Sequence, residues 1–206
     1  MEGSDAAAVA RAKAGDREAF RALVEKHSRN VFRLAFRMTG SEEDAEDVVQ
    51  ETFLKAYRNL QHFAGQAELS TWLHRIAANC AVDLLRRRAP REARTRPLEG
   101  EALEAASSGA TPERAFLTTE VQDHVARSLE RLSAMERAAF VLRHFEGRTI
   151  AEIGATLGVR RGAAKNCVFR AVSKLRRDLA PVVGEAVAPG APSPRPSPGG
   201  RGRRAR

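Results

Sequence analysis

Apolar residues in the first part of the chain repeat at helical spacing in successive stripes. Phe20, Val24, His27, Val31, Leu34 and Met38 step by four, three, four, three and four residues, the rhythm of a bundle seam. They predict a helix that Asp16 caps and Gly40 ends, with His27 as a satisfied core residue. Ala45, Val49, Thr52, Phe53, Ala56 and Leu60 form a second stripe, opened by Ser41 with Asp44 three residues on, a capping-box-like start. Leu73, Ile76, Ala77, Cys80, Ala81 and Leu84 form a third, on a helix from near Ser70 to Arg88. A shorter helix over residues 4–14, between Ser4 and Gly15, precedes them. Residues 1–88 therefore predict a compact helical domain.

Periodicity vanishes over residues 89–110, where Pro, Gly, Ser and charges mix, so a flexible linker is expected. Fully extended, those residues would reach roughly 75 Å. Thr111-Pro112-Glu113 then starts a helix with Phe116, Val121, Val125 and Leu129 on its apolar side. Ser133 with Glu136 and Thr149 with Glu152 are capping boxes for two more, broken by Gly147 and Gly158. A last helix, Arg161 to Leu179, buries Ala164, Val168, Ala171, Val172 and Leu175. The short helix, the Leu157-Gly158-Val159 turn and the long helix make a helix-turn-helix within a second domain, residues 111–183. The expected fold is all-α: two small helical domains joined by a flexible linker. Residues 184–206, with five Pro and five Gly, predict a disordered tail.

The polar faces carry the chemistry. Opposite the second stripe, a step of 100° per residue gathers Asp44, Asp47, Glu51, Leu54 and Arg58, with Gln50 beside them. No Lys or Arg lies between Ser41 and Glu51, so this acidic face with an apolar Leu54 suits a protein partner. Opposite the third stripe stand Trp72, Arg75, Asn79 and Arg86. Aromatic surface beside guanidinium and amide groups suits stacking on bases and binding phosphate. The same pattern also fits a tryptophan folded back into the core above a solvated arginine face. On the last helix Lys165, Asn166, Phe169, Arg170, Ser173 and Arg177 share an outer face without an acid. Phosphate binders and base readers thus lie where a helix enters a major groove, although a solvated face has similar spacing.

Charge agrees with a polyanionic partner. The formal net charge is +9, of which the tail's five arginines and one glutamate supply +4. Cys80 and Cys167 are far apart, with neither Cys nor His at ligand spacing, so reduced thiols are expected. The five histidines are scattered, and no catalytic triad or glycine-rich phosphate loop occurs. No enzyme activity, metal or cofactor is therefore expected. With no apolar run near 18 residues, membrane insertion is not expected and the cytoplasm is the expected location.

DAEDVVQETFLKAYRNL, then F-x-G, then STWLHRIAANCAVDLLRRR, resembles the second conserved region of extracytoplasmic-function sigma factors, the small two-domain initiation subunits of bacterial RNA polymerase. GRTIAEIGATLGVRRGAAKNCVFRAVSKLRRDL resembles their fourth region, the helix-turn-helix that reads the −35 promoter element. The resemblance covers about Asp16 to Arg88 and about Thr111 to Leu179. It implies core RNA polymerase and promoter DNA as partners. It implies polymerase binding by Asp47, Gln50, Glu51 and Leu54, and −10 contacts by Phe63, Trp72, Arg75 and Asn79. It implies −35 contacts by Arg161, Lys165, Asn166, Phe169, Arg170 and Ser173. An anti-sigma factor fits the family, though no residue demonstrates one.

The sequence departs from the family at three places. Gly162-Ala163-Ala164 replaces the usual Gly-Thr-Val, and Asn166-Cys167 replaces a Ser-Arg pair, so the preferred −35 sequence need not match that of relatives. Phe63-Ala64-Gly65 lacks the arginine that often follows the phenylalanine, so no charged contact beside a flipped base carries over. A stand-alone helix-turn-helix regulator, with residues 16–88 as a sensor or dimerisation domain, is the alternative. An RNA-binding protein is a more distant one.

Overall fold

A computed structural model describes residues 3–65, 67–92 and 124–187, and the described residues contain helices and no strand. The helices are α1 (Gly3–Lys13), α2 (Arg17–Thr39), α3 (Glu42–Asn59), a 3₁₀ turn (Leu60–His62) and α4 (Leu69–Glu92). After the gap come α5 over residues 124–130, α6 (Ala134–His144), α7 (Ile150–Leu157) and α8 (Arg161–Val187).

Local capping sets most boundaries. Asp16 accepts from the Ala19 amide to start α2, and Ser41 from the Asp44 amide to start α3. Ser133 and Thr149 each close a reciprocal capping box, with Glu136 and Glu152, at the starts of α6 and α7. Gly158 ends α7 at φ 65°, a left-handed conformation that costs a glycine little.

The first half is a bundle of α1 to α4. Val31, Leu34, Ala35 and Met38 of α2, Ala45, Val48 and Ala56 of α3, and Leu73, Ala77 and Ala81 of α4 are fully or almost fully buried. His27 is buried and its Nε2 lies 3.1 Å from Asp5 Oδ2, so the ring is satisfied from α1. In the second half Leu129, Leu132, Ala171 and Leu175 make a small core of their own.

The halves also meet. Ala138, Val141, Leu142, Ile153 and Leu157 belong to one apolar cluster with the core of the first half. At its rim the Arg37 guanidinium lies 3.0 Å from Glu146 and 5.1 Å from the centre of the Phe145 ring. Arg137, itself buried, passes close over Gly40, where a β-carbon would sit 2.7 Å from its guanidinium. His74 is wedged at this junction 3.7 Å from Glu146; burial pushes its pKa down, against the pull of that carboxylate.

Two boundaries differ from expectation. α4 continues past Arg88 and ends two residues beyond Pro90, which removes one helical hydrogen bond without stopping the turn it sits in. α8 likewise passes Pro181 to Val187, so the first residues of the expected tail are helical. Residues 93–123 lie outside the described residues, and with them most of the expected linker and the Thr111 helix start. So do residues 188–206 of the tail.

Candidate functional site

The acidic face of α3 opens onto a groove of about 760 Å³ shared with α4. Asp47, Gln50, Glu51 and Leu54 line one wall; Asp83, Leu84, Arg86 and Arg87 line the other, with Cys80 at the base. Leu54 is 46% exposed, a large apolar side chain held in water amid carboxylates. Glu51 pairs with Lys55 one turn on, at 3.3 Å. Lys55 also reaches the Cys80 thiol at 3.5 Å, yet burial outweighs it and raises the thiol's pKa. That sulfur is a neutral floor to the groove.

Asp44 does not belong to this face. It is 2% exposed and pairs with Arg88 of α4. The buried face extends past the expected stripe to Val48 and Asp44, and a guanidinium from another helix compensates the carboxylate there. The four residues expected to bind polymerase do come together. The basic wall from Arg86 and Arg87 was not foreseen as facing them, although the helical spacing of α4 carries that signal.

A second surface surrounds the only tryptophan. Trp72 is half-buried, with its ring centre 5.0 Å from that of Phe63 and the planes tilted by 40°. It packs on the core and also lines an open recess of about 360 Å³ with Lys55, Asn59, His62, Ile76 and Asn79. Trp72 is thus folded partly onto the core, with the rest of its ring open to the recess. Arg75 is exposed nearby. The Asn79 amide donates to the Arg75 carbonyl at 2.8 Å and, across the junction, to the Thr156 carbonyl at 3.0 Å. The structure brings Phe63, Trp72 and Asn79 together and adds Lys55, Asn59 and His62. The polar run at the end of α3, just before the loop, was the available signal.

The third surface is the outer side of α8. Arg161, Lys165, Asn166, Phe169, Arg170, Ser173 and Arg177 are all exposed, while Ala164, Ala171 and Leu175 face inward. Phe169, at 71% exposure, stands out among the cations as an apolar edge. The α7–α8 turn is closed by the Val159 amide donating to the Gly154 carbonyl at 2.9 Å. α8 is braced from behind, where Lys174 lies 2.6 Å from the buried Glu136 that caps α6. Burial pulls the Glu136 carboxyl up, but the Lys174 bond, the Ser133 backbone and hydroxyl bonds and the Lys174 charge outweigh it. The carboxyl ends below the usual range.

Among the described residues no group of His, Cys, Asp and Glu is placed to hold a metal ion, and no helix is long and apolar enough to cross a membrane.

Comparison with known proteins finds one family across both halves of the chain. The Sigma-70 region 2 profile matches residues 23–91 and the Sigma-70 region 4 profile matches residues 128–177. The chain is 38% identical over 178 residues to the ECF RNA polymerase sigma factor SigM of Mycobacterium tuberculosis, covering 86% of each. It is 30% identical over 176 residues to SigW of Bacillus subtilis, covering 83% of this chain and 94% of that protein. Among solved structures, CnrH in complex with the cytosolic domain of CnrY is 28% identical with a TM-score of 0.57. That match covers 86% of this chain and 98% of CnrH.

Proposed function

The chain belongs to the extracytoplasmic-function sigma factors, initiation subunits that bind core RNA polymerase and promoter DNA, and from there we propose how its surfaces divide the work. The region 2 half docks on polymerase through Asp47, Gln50, Glu51 and Leu54, against a complementary basic and apolar face of the large subunit. Phe63, Trp72, Arg75 and Asn79 hold unstacked bases of the −10 element. The region 4 half places α8 in the major groove of the −35 element, with Arg161, Lys165, Asn166, Phe169, Arg170 and Ser173 at the DNA.

The observation that carries this reading is the openness of the α3–α4 groove while the halves are packed together. Among the described residues, only those of α3 and α4 line it. The amide of Asn79, by contrast, is occupied by the Thr156 carbonyl. Polymerase therefore docks on the free groove first, and the halves part afterwards, which releases Asn79 to DNA. The stretch between α4 and α5 has the length for this, since extended residues span about 3.3 Å each.

Bond-making belongs to the polymerase, and the subunit works beside it in the cytoplasm. The reading extends to an anti-sigma partner, which by covering the groove would keep the subunit off polymerase. The test is Asp47→Lys, Glu51→Lys and Leu54→Ala combined, which leaves the buried stripe intact. Pull-down by core polymerase should fall sharply with the helical content unchanged. Undiminished capture of the folded variant would remove the assignment.

A further inference from the structure

α1 is fixed to the bundle along its length. Val9 and Ala12 are buried, Asp5 receives Lys26 at 2.5 Å and lies against His27, and Arg11 pairs with Asp16 at 2.6 Å. Its last residue reaches out of that frame. The Lys13 ammonium donates to the Phe63 carbonyl at 2.6 Å, and the Gln61 side-chain amide donates back to the Lys13 carbonyl at 2.7 Å.

Both acceptors need a partner. The Lys13 carbonyl stands at a helix C-terminus, where no following turn supplies an N–H. Phe63 is where the backbone leaves the 3₁₀ turn for an extended conformation, φ −69° and ψ 105°. The two bonds cross 48 and 50 residues of sequence and clasp the rigid α1 to the start of the loop before α4. A recess of about 660 Å³ lies between them, bounded by Val9, Lys13, Phe63, Gly65 and Leu69. Phe63 carries the ring that meets Trp72. Moving its carbonyl moves that ring.

We propose that Lys13, seconded by Gln61, is a positioning residue for promoter opening: it fixes the start of the loop that holds Phe63 against Trp72 of α4, where the two rings meet the −10 bases. The inference rests on the −10 reading above. Lys13 spends its charge on a carbonyl to hold the loop and does not itself read DNA. The loop's glycine, Gly65 at φ 70°, then bends from a fixed start.

The test compares Lys13→Met, which keeps the aliphatic stem, with Gln61→Ala, which breaks the other bond without changing charge. Each is assembled with core polymerase and titrated with a single-stranded oligonucleotide of the −10 sequence selected from a random pool by the wild-type holoenzyme. Both variants should bind about ten-fold more weakly, the order expected for one lost hydrogen bond to a charged group or at a fixed carbonyl. Polymerase affinity should be unchanged, emission of the free proteins' lone Trp72 should shift in both, and Gln61→Ala should keep the wild-type salt dependence.

Wild-type binding by both variants overturns the proposal. So does weakening confined to Lys13→Met with a shallower salt dependence, because Lys13 would then touch phosphate directly. Trp72→Ala separates this failure from that of the premise. If it too binds like the wild type, the −10 assignment is wrong; if it alone loses binding, only the clasp is.

Discussion

Replacing Gly154 by alanine should displace the recognition helix, and the size of the effect follows from the α7–α8 turn. Gly154 is buried within α7, and a β-carbon there would stand 2.9 Å from the Val159 carbonyl oxygen and 3.7 Å from the Arg161 amide nitrogen. Ordinary carbon contacts begin near 3.5 Å, so the turn must give by roughly half an ångström. The obstruction is backbone and cannot rotate away. The same turn is closed by the Val159–Gly154 hydrogen bond, which the shift would stretch.

Two opposing effects must be weighed. Alanine in place of a helical glycine favours the folded state by about 0.5–1 kcal/mol. Overpacking against a fixed neighbour costs about 1–3 kcal/mol. Overpacking wins, and Gly154→Ala should destabilise by about 1–2 kcal/mol. Gly162→Ala is the internal contrast, since nothing lies within 4 Å of its would-be β-carbon. The helix preference then acts alone, and that variant should be neutral or more stable by up to about 1 kcal/mol. Urea unfolding followed by circular dichroism measures both, and anisotropy with a −35 duplex should show weakened binding for Gly154→Ala only. Equal stability and equal DNA affinity in the two variants would refute the argument.

Further outcomes follow from the same geometry. Because the folded Glu136 carboxyl lies below its unfolded value, its stabilisation is present above about pH 4.5 and is lost as pH falls through the folded pKa. Glu136→Gln should cost about 1–2 kcal/mol at pH 7, weighted down because the Lys174 side chain is 39% exposed. Its urea midpoint should also change less than the wild type's between pH 5 and pH 3. On α8, Arg170→Ala should cost about 1–3 kcal/mol and relax preference at one −35 position. Lys165→Ala should weaken matched and mismatched duplexes alike and shallow the salt dependence by about one unit of slope. Equal losses on both duplexes in both variants would make α8 an electrostatic clamp only.

What could be read from the sequence was what neighbours along the chain decide. The Ser133–Glu136 and Thr149–Glu152 boxes are local, and the structure contains both. The outer face of α8 is likewise exposed residue for residue, because a long helix keeps its phase. Asp44 was misplaced because its partner, Arg88, lies on another helix, and a wheel holds no tertiary partners. The Asn79–Thr156 bond and the Lys13–Gln61 clasp were invisible for the same reason: each joins segments far apart in sequence. Val48 shows the finer error. It is buried at 1% while the expected Val49 is half-buried, a shift of one residue at the edge of the stripe.

The most direct test of the division of labour is transcription reconstituted from purified core polymerase, with permanganate mapping of the open strand on the promoters that respond. The wild-type chain should direct initiation from discrete promoters and expose −10 thymines. Trp72→Ala and Asn79→Ala should assemble with polymerase normally yet fail to open the same promoters. Normal melting by both variants would contradict the −10 assignment. Tight, dimeric binding of duplex DNA without polymerase, and no promoter-specific transcript with it, would contradict the account as a whole.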